Sequence, residues 1–332
     1  MKINNQIVGD NAPCFIIAEI GCNHNQDINL AKKLIDATVE CGVNAVKFQK
    51  FITSKLISAH HSQYHLLKKL ELSDEAFLEL FSYTIKKGIT FLATAYDEES
   101  VEFLARLGVP AYKVASGDIT NLPLLNKIAL KNLPIILSTG MSNLDEIKEA
   151  IETIKEAGND QLILMHCVST YPTKIADCNL KTINTLHQKF QLPVGFSDHS
   201  LGITMSIAAV ALGACVIERH FTIDKNLPGP DQFMSLTPDE LKELVKRIRE
   251  VEEGLGSGIK MSLACEQGAI KTSRKSIVAA KDIPQQTTIT NDMLAIKRPG
   301  TGIPPKFINQ LIGKKVKGDI REDDLIVWGD IW

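Results

Sequence analysis

Short apolar runs and longer segments of helical periodicity alternate along the first 258 residues of the chain. The runs are "CFIIAEIG" (14–21), "AVKFQ" (45–49), "TFLATAY" (90–96), "AYKVAS" (111–116), "PIILST" (134–139), "LILMHC" (162–167), "PVGFSDH" (193–199) and "CVIERHF" (215–221). Their length, β-branched content and bounding turn residues predict buried strands. Between them lie amphipathic segments. "INLAKKLIDATVECG" places Leu30, Leu34, Ile35 and Thr38 on one face. "SDEAFLELFSYTIKKG" opens on Ser73 as an N-cap and closes at Gly88, and "LDEIKEAIETIKEAG" has acidic residues in its first turn and ends at Gly158.

Eight strands alternating with helices predict an α/β chain built as a (β/α)8 barrel over residues 1–258. The structural alternative is a doubly wound open sheet, which calls for a glycine-rich phosphate loop after the first strand. "GCNHNQDINLA" follows instead, with a single glycine. A long helix, "TPDELKELVKRIREVEEGLG" (237–256), is expected to cover the outside of the barrel. Residues 259–272 read as a linker. Residues 273–332 are short strands, turns and prolines, and predict a separate, mostly-β module. That module carries ten Lys/Arg against seven Asp/Glu, so it is net basic while the remainder is net acidic.

Composition narrows the class. The 332 residues are 44% hydrophobic and 23% charged, with a formal net charge of −2, which excludes a generally basic nucleic-acid binder. No apolar run approaches the length of a membrane span, and the opening "MKINNQIVGDNAP" has no signal-peptide core. The seven cysteines are odd in number and lack CxxC spacing, so reduced thiols and a cytoplasmic location are expected. Cys167 and Cys215 read as buried small hydrophobes.

The candidate chemistry sits at strand ends, where a (β/α)8 barrel builds its active site. These ends are polar throughout: Glu19, Asn23 and His24; Lys47 and Gln49; Thr94; Lys113, Ser116 and Asp118; Ser138 and Thr139; Ser169 and Tyr171; Ser197, Asp198 and His199; Glu218, His220 and, beyond them, Asp231. Charged groups converging in a cavity are costly unless they pair or bind something. His199 and His220 end neighbouring strands at equivalent heights, which suits two ligands of one divalent metal, Mn²⁺ or Mg²⁺, completed by oxygens. A single strand-end histidine would read as a hydrogen-bonded core residue. Lys113 with Thr94, Ser116, Ser138, Ser169 and Ser197 offers one cation and many hydroxyls, the requirements of a phosphate. His60, His61 and His65 read as solvated surface or a lid loop.

The stretches "FIIAEIGCNHNQDINLAKKLIDATVECGVNAVKFQKF", "YKVASGD", "ILSTGM", "HCVSTYPT", "GFSDHS", "VIERHFT" and "PGPD" together resemble the sialic acid synthase family. Members of this family are the N-acetylneuraminate, legionaminate and pseudaminate synthases, which condense phosphoenolpyruvate with an N-acyl amino sugar. The tail with "KRPGTGI" resembles the family's C-terminal antifreeze-like (SAF) domain. The resemblance implies that His199 and His220 hold the metal and that Thr94, Lys113, Ser116, Ser138, Ser169 and Ser197 hold phosphoenolpyruvate. It implies catalytic roles for Glu19, near the reacting carbonyl, and Lys113. Gln49, Asp118, Tyr171 and Asp231 would surround the sugar. Arg298 would reach from the SAF domain of one subunit into the barrel of the other, in a domain-swapped homodimer.

Three positions depart from the family pattern: Asp118 in "ASGD" for the usual Glu, "ATAY" for "STPF", and Gln26 in "NHNQ" for glycine. N-acetylmannosamine is the expected acceptor. A 2,4-diacetamido-2,4,6-trideoxymannose, giving legionaminate, is the alternative, and the intact "PGPD" speaks against the pseudaminate branch. Two other readings stay open: an aldolase forming a Schiff base on Lys113, and a non-catalytic carbohydrate-binding barrel.

Overall fold

The computed structural model describes residues 1–332 and divides the chain into two compact units, Met1–Gly256 and Ser257–Trp332. In the first, a two-stranded hairpin, β1 (Lys2–Ile3) and β2 (Gln6–Ile7), precedes eight parallel strands. These are β3 (Phe15–Gly21), β4 (Ala45–Lys50), β5 (Thr90–Ala95), β6 (Tyr112–Val114), β7 (Ile135–Ser138), β8 (Leu162–Cys167), β9 (Val194–Asp198) and β10 (Val216–His220). They close in sequence order into a barrel, with β10 paired to β3. Each expected run coincides with one of these strands, β4 extending one residue beyond its run to Lys50.

The intervening segments fold as helices for local reasons. Helix Ile28–Cys41 buries Ala31, Leu34, Ile35 and Thr38, and Asp27 caps it by accepting from the Asn29 and Leu30 N–H groups. Ser73 accepts from Ala76 N at the start of helix Asp74–Lys86, as its sequence predicts. Asn143 and Glu146 form a reciprocal capping box on helix Leu144–Glu156. Helix Pro238–Leu255 buries Leu241, Leu244 and Ile248 in the layer between helices and barrel. No helix is long and apolar enough to cross a membrane.

The lumen is apolar at its lower end and polar at its upper end. Phe15, Ile17, Ala45, Leu92, Ala111, Ile136, Ile163 and Val216 fill the bottom, and Ile3 and Val8 of the hairpin region pack into the same cluster. The opening residues thus form part of the barrel core, a role their sequence does not announce. Above this layer the same inward-facing parity carries the charged groups described below.

The second unit has its own core, built around Ile277, Ile283, Ile289, Ile303, Leu311, Val316 and Ile326. Its regular sheet is only the antiparallel pair β11 (Ser276–Ala279) and β12 (Leu294–Lys297), with isolated bridges and short turns elsewhere. The stretch 259–272 is more than a linker. A turn at Ala264–Glu266 leads into helix Gln267–Ser273, and Lys271 O accepts from Gly300 N of the module.

Candidate active site

The upper lumen holds a cavity of about 300 Å³ at the C-terminal ends of the strands. Every expected site residue lines it except Asp118, Asp231 and Arg298. Strand alternation explains the convergence: residues two apart on one strand share a face, and register aligns them with the neighbouring strand. Glu19 pairs with Lys47, Gln49 with Thr94, Thr94 with Lys113, Glu218 with Ser197, and His220 with Glu19.

Four charged side chains form the floor. Lys47 Nζ lies 2.7 Å from Glu19 Oε2 and 3.8 Å from Glu218 Oε2, and donates to Thr94 Oγ1 at 3.1 Å. Lys113 Nζ donates to Ser138 Oγ at 2.6 Å and Val114 O at 3.0 Å, and stands 3.7 Å from Glu218 Oε1. Ser197 Oγ donates to Glu218 Oε1 at 3.0 Å, and Gln49 Nε2 to Glu19 Oε1 at 2.8 Å. A strand irregularity between Glu19 and Gly21 aims these groups. Gly21 has φ +54°, which favours glycine, and a Cβ there would lie 3.0 Å from Glu19 Oε1 and crowd that carboxylate.

The two carboxyls are driven apart. Burial raises the Glu19 pKa against the pull of Lys47. Burial opposes Glu218 as well, but Lys113 and Lys47 outweigh it and bring that carboxyl down to about 2. Such a divergence suits Glu19 to exchanging a proton and Glu218 to staying ionised. Burial lowers the Lys113 pKa, while in Lys47 the neighbouring Glu19 and Glu218 overcome burial and raise it.

On one wall, Gly140 N donates to Ser116 Oγ at 3.0 Å. A Cβ on Gly140 would lie 2.3 Å from Ser169 Oγ and 2.7 Å from Ser116 Oγ, so only glycine lets both hydroxyls converge. The buried Ser169 hydroxyl has no partner within the chain.

On the other wall, the His199 and His220 rings lie 5.5 Å apart, with Tyr171 4.1 Å from the His199 ring. His199 Nδ1 is 3.0 Å from Val168 O. Donation to this carbonyl fixes the tautomer and leaves Nε2 as the free ligand atom. Burial lowers His220 to about 4, so it is neutral, and its buried Nδ1 lacks a hydrogen bond, with Asp231 Oδ2 at 3.6 Å. Two neutral-capable imidazoles, one with an orphaned nitrogen, fit a divalent metal. No group of three or more His, Cys, Asp or Glu is arranged to hold a metal. The remaining positions would fall to oxygens of substrate or water, the open coordination of a catalytic site.

Three expected residues lie off the cavity. Asp118 is half-buried in the turn Ser116–Asp118, where its carboxylate accepts from Asn121 Nδ2 at 3.3 Å. Asp231 Oδ2 lies 3.6 Å from His220 Nδ1, and Arg298 follows β12 in the second unit. One reading is corrected: Cys167 is not merely a core hydrophobe, because it lines the cavity with Sγ 3.9 Å from His199 Nδ1. Its position at the end of β8, on the lumen parity, brings it there. Sequence reasoning also left Lys47, Glu218, Gly140 and Tyr96 without roles. For Lys47 and Glu218 a signal existed, since each stands two residues before another site residue on its strand.

A parallel eight-stranded barrel with a polar, two-histidine cavity at its upper end defines a β/α-barrel protein of enzyme type. The NeuB family model matches residues 34–260, and the SAF domain model residues 274–331. The chain is 44% identical to the N,N'-diacetyllegionaminic acid synthase of Legionella pneumophila, over 97% of this chain and 96% of that one. It is 43% identical to the N-acetylneuraminate-9-phosphate synthase of Mus musculus, over 96% and 93%. Among solved structures, the N-acetylneuraminic acid (sialic acid) synthetase of Leptospira borgpetersenii superposes with a TM-score of 0.78 at 39% identity, covering 81% of this chain and 94% of that chain. The chain belongs to the NeuB family and carries a C-terminal SAF domain.

Proposed function

We propose that the protein is a nonulosonate synthase, condensing phosphoenolpyruvate with an N-acyl amino sugar to give a nine-carbon 2-keto acid and phosphate. The observation that carries this reading is the gathering of a phosphate-suited wall and a metal-suited wall around one acid–base pair in a single cavity. Lys113, with Ser138 beside it, meets the phosphate charge, and Ser116, Ser169 and Gly140 shape the wall where the remaining oxygens bind. His199 and His220 would hold Mn²⁺ or Mg²⁺, which when bound supplies Lewis-acid polarisation of the sugar's C1 oxygen.

C3 of phosphoenolpyruvate bonds to C1 of the open-chain sugar as the C1 carbonyl pair moves onto its oxygen, which takes up a proton and becomes a hydroxyl, leaving positive charge at C2. Water adds at C2, and phosphate leaves with cleavage of the C–O bond. Glu19, with its raised pKa, exchanges the proton at this centre. Glu218 stays ionised and holds Ser197 and both lysines in place. Lys113 is also the amine a Schiff-base aldolase would need, but its contacts with Ser138 and Glu218 favour a phosphate-binding cation.

N-acetylmannosamine is the acceptor in this reading. A 2,4-diacetamido-2,4,6-trideoxymannose is the second, favoured by the 44% identity to a protein named as a legionaminic acid synthase. Arg298 is assigned to the sugar site of a partner subunit in a domain-swapped homodimer. Phosphate release from phosphoenolpyruvate with Mn²⁺, with each sugar and with N-acetylmannosamine 6-phosphate, with and without EDTA, tests the reading. Release with one sugar, abolished by EDTA, is expected. Release with none of them, or release unaffected by EDTA, overturns it.

A further inference from the structure

Behind the metal-suited wall, on the opposite face of the same two strands, lies a buried ion pair that touches no part of the cavity. Asp198 and Arg219 are registered opposite each other across β9 and β10. Each sits beside a histidine in sequence, Asp198 before His199 and Arg219 before His220. Alternation sends the histidines into the lumen and the pair into the layer between barrel and helices.

The contacts around this pair are specific. Arg219 Nη1 donates to Asp198 Oδ2 at 2.5 Å, and Nη2 donates to Ser200 O at 2.8 Å. Asp198 Oδ1 accepts from Ser200 N at 2.8 Å, and Oδ2 also accepts from Ser206 Oγ of helix Thr204–Ala211 at 2.5 Å. Both polar groups of the Ser200 backbone are therefore held, one by each member of the pair. His199 lies between two fixed residues, and the guanidinium that fixes its far side belongs to the residue next to His220. Arg219 and Asp198 are both 1% exposed, and Ser200 and Ser206 are fully buried.

A buried ion pair is poor value as a source of stability, because desolvation cancels much of the attraction and apolar replacements of similar volume are often neutral or stabilising. Its geometric content is larger: a guanidinium fork has one planar arrangement that satisfies both acceptors. We infer that Asp198 and Arg219 are positioning residues that set the separation and aim of His199 and His220 as metal ligands. The inference rests on the reading of those histidines as ligands. Neither residue touches substrate or metal. Outer partners of this kind commonly govern metal affinity by about 10–100-fold.

The test is Mn²⁺ binding to metal-free protein, measured by calorimetry and by the spin resonance of free Mn²⁺, in full-length Asp198→Leu/Arg219→Met. The expected result is an affinity about 10-fold or more below the parent, in a metal-free protein that still unfolds cooperatively. A crystal structure should show the two rings displaced from their 5.5 Å spacing. Parental Mn²⁺ affinity, or unchanged ring spacing, overturns the inference. Should the double variant fail to fold, Arg219→Gln, which can reach Asp198 or Ser200 but not both, serves instead, and parental affinity in it is equally fatal. A parent protein that binds no Mn²⁺ also overturns it. A parent that binds Mn²⁺ but releases no phosphate counts against the proposed reaction and leaves the positioning role standing.

Discussion

Lys47 Nζ stands 2.7 Å from Glu19 Oε2, and the two residues are register partners on β4 and β3. The pair is fully buried and shares its lysine with Glu218. Removing the cation strands Glu19 and leaves Glu218 to Lys113 alone, whereas neutralising Glu19 leaves Lys47 facing Glu218. Lys47→Met should therefore destabilise the barrel by about 3–5 kcal/mol, and Glu19→Gln by clearly less, as read from urea midpoints. Glu19→Gln should lower turnover by about 10²–10⁴-fold while the protein stays folded. Equal midpoints for the two variants would contradict this asymmetry.

Gly140 is the close-packing point of the phosphate-suited wall. A methyl group there displaces the Ser169 and Ser116 hydroxyls it would otherwise meet at 2.3 and 2.7 Å. Gly140→Ala should raise the KM for phosphoenolpyruvate by about tenfold or more, the kinetic equivalent of about 1–3 kcal/mol of overpacking. The KM for the sugar should change little. A variant whose sugar KM moved instead would put the phosphate on the wrong wall.

Ser138 is the one side-chain hydroxyl bonded to Lys113, at 2.6 Å. Hydrogen bonds to charged groups are worth about 1.5–3 kcal/mol. Ser138→Ala should weaken phosphoenolpyruvate binding by at least about tenfold, measured by titration in the absence of sugar. Unchanged affinity would remove Ser138 from the site.

The segment between β4 and β5 is clasped by Glu71, whose Oε2 accepts from Thr53 N at 2.9 Å and Thr53 Oγ1 at 2.6 Å. Burial works against the charge, but these bonds and Lys68 outweigh it and hold the carboxyl below its ordinary range. A depressed folded-state pKa contributes stability that is complete above the ordinary carboxylate pKa and lost as pH falls through the depressed value. Proteolysis within residues 53–71 should therefore accelerate on acidification below about pH 4. Glu71→Gln should show the faster rate already at neutral pH, with no further step on acidification. A pH-independent rate in the parent would rule out the clasp.

The architecture was legible because its signals are local. Eight short apolar runs, amphipathic segments of period 3.6, Ser73 as a cap and glycines past helix ends follow from what each segment must bury or satisfy on its own. The strand-end histidines and serines were legible for a related reason: polar residues closing an apolar run have no cause in the strand itself. The match of ordered motifs to the sialic acid synthase family then named the class of chemistry.

Other features were set by closure and register, which no local pattern contains. β10 pairs with β3, so Glu218 and His220 meet Glu19 across nearly the whole barrel sequence, and only that contact makes Lys47 the partner of two carboxylates. Alternation separates Cys167 from its neighbours and Asp198 and Arg219 from the histidines beside them, but closure decides which of the two faces becomes the lumen. The opening hairpin belongs to the lower core because Ile3 and Val8 fill lumen that the eight strands leave open. Side-chain period tells which residues share a face of one strand. Which faces meet, and which charge therefore answers which, is a property of the closed barrel alone.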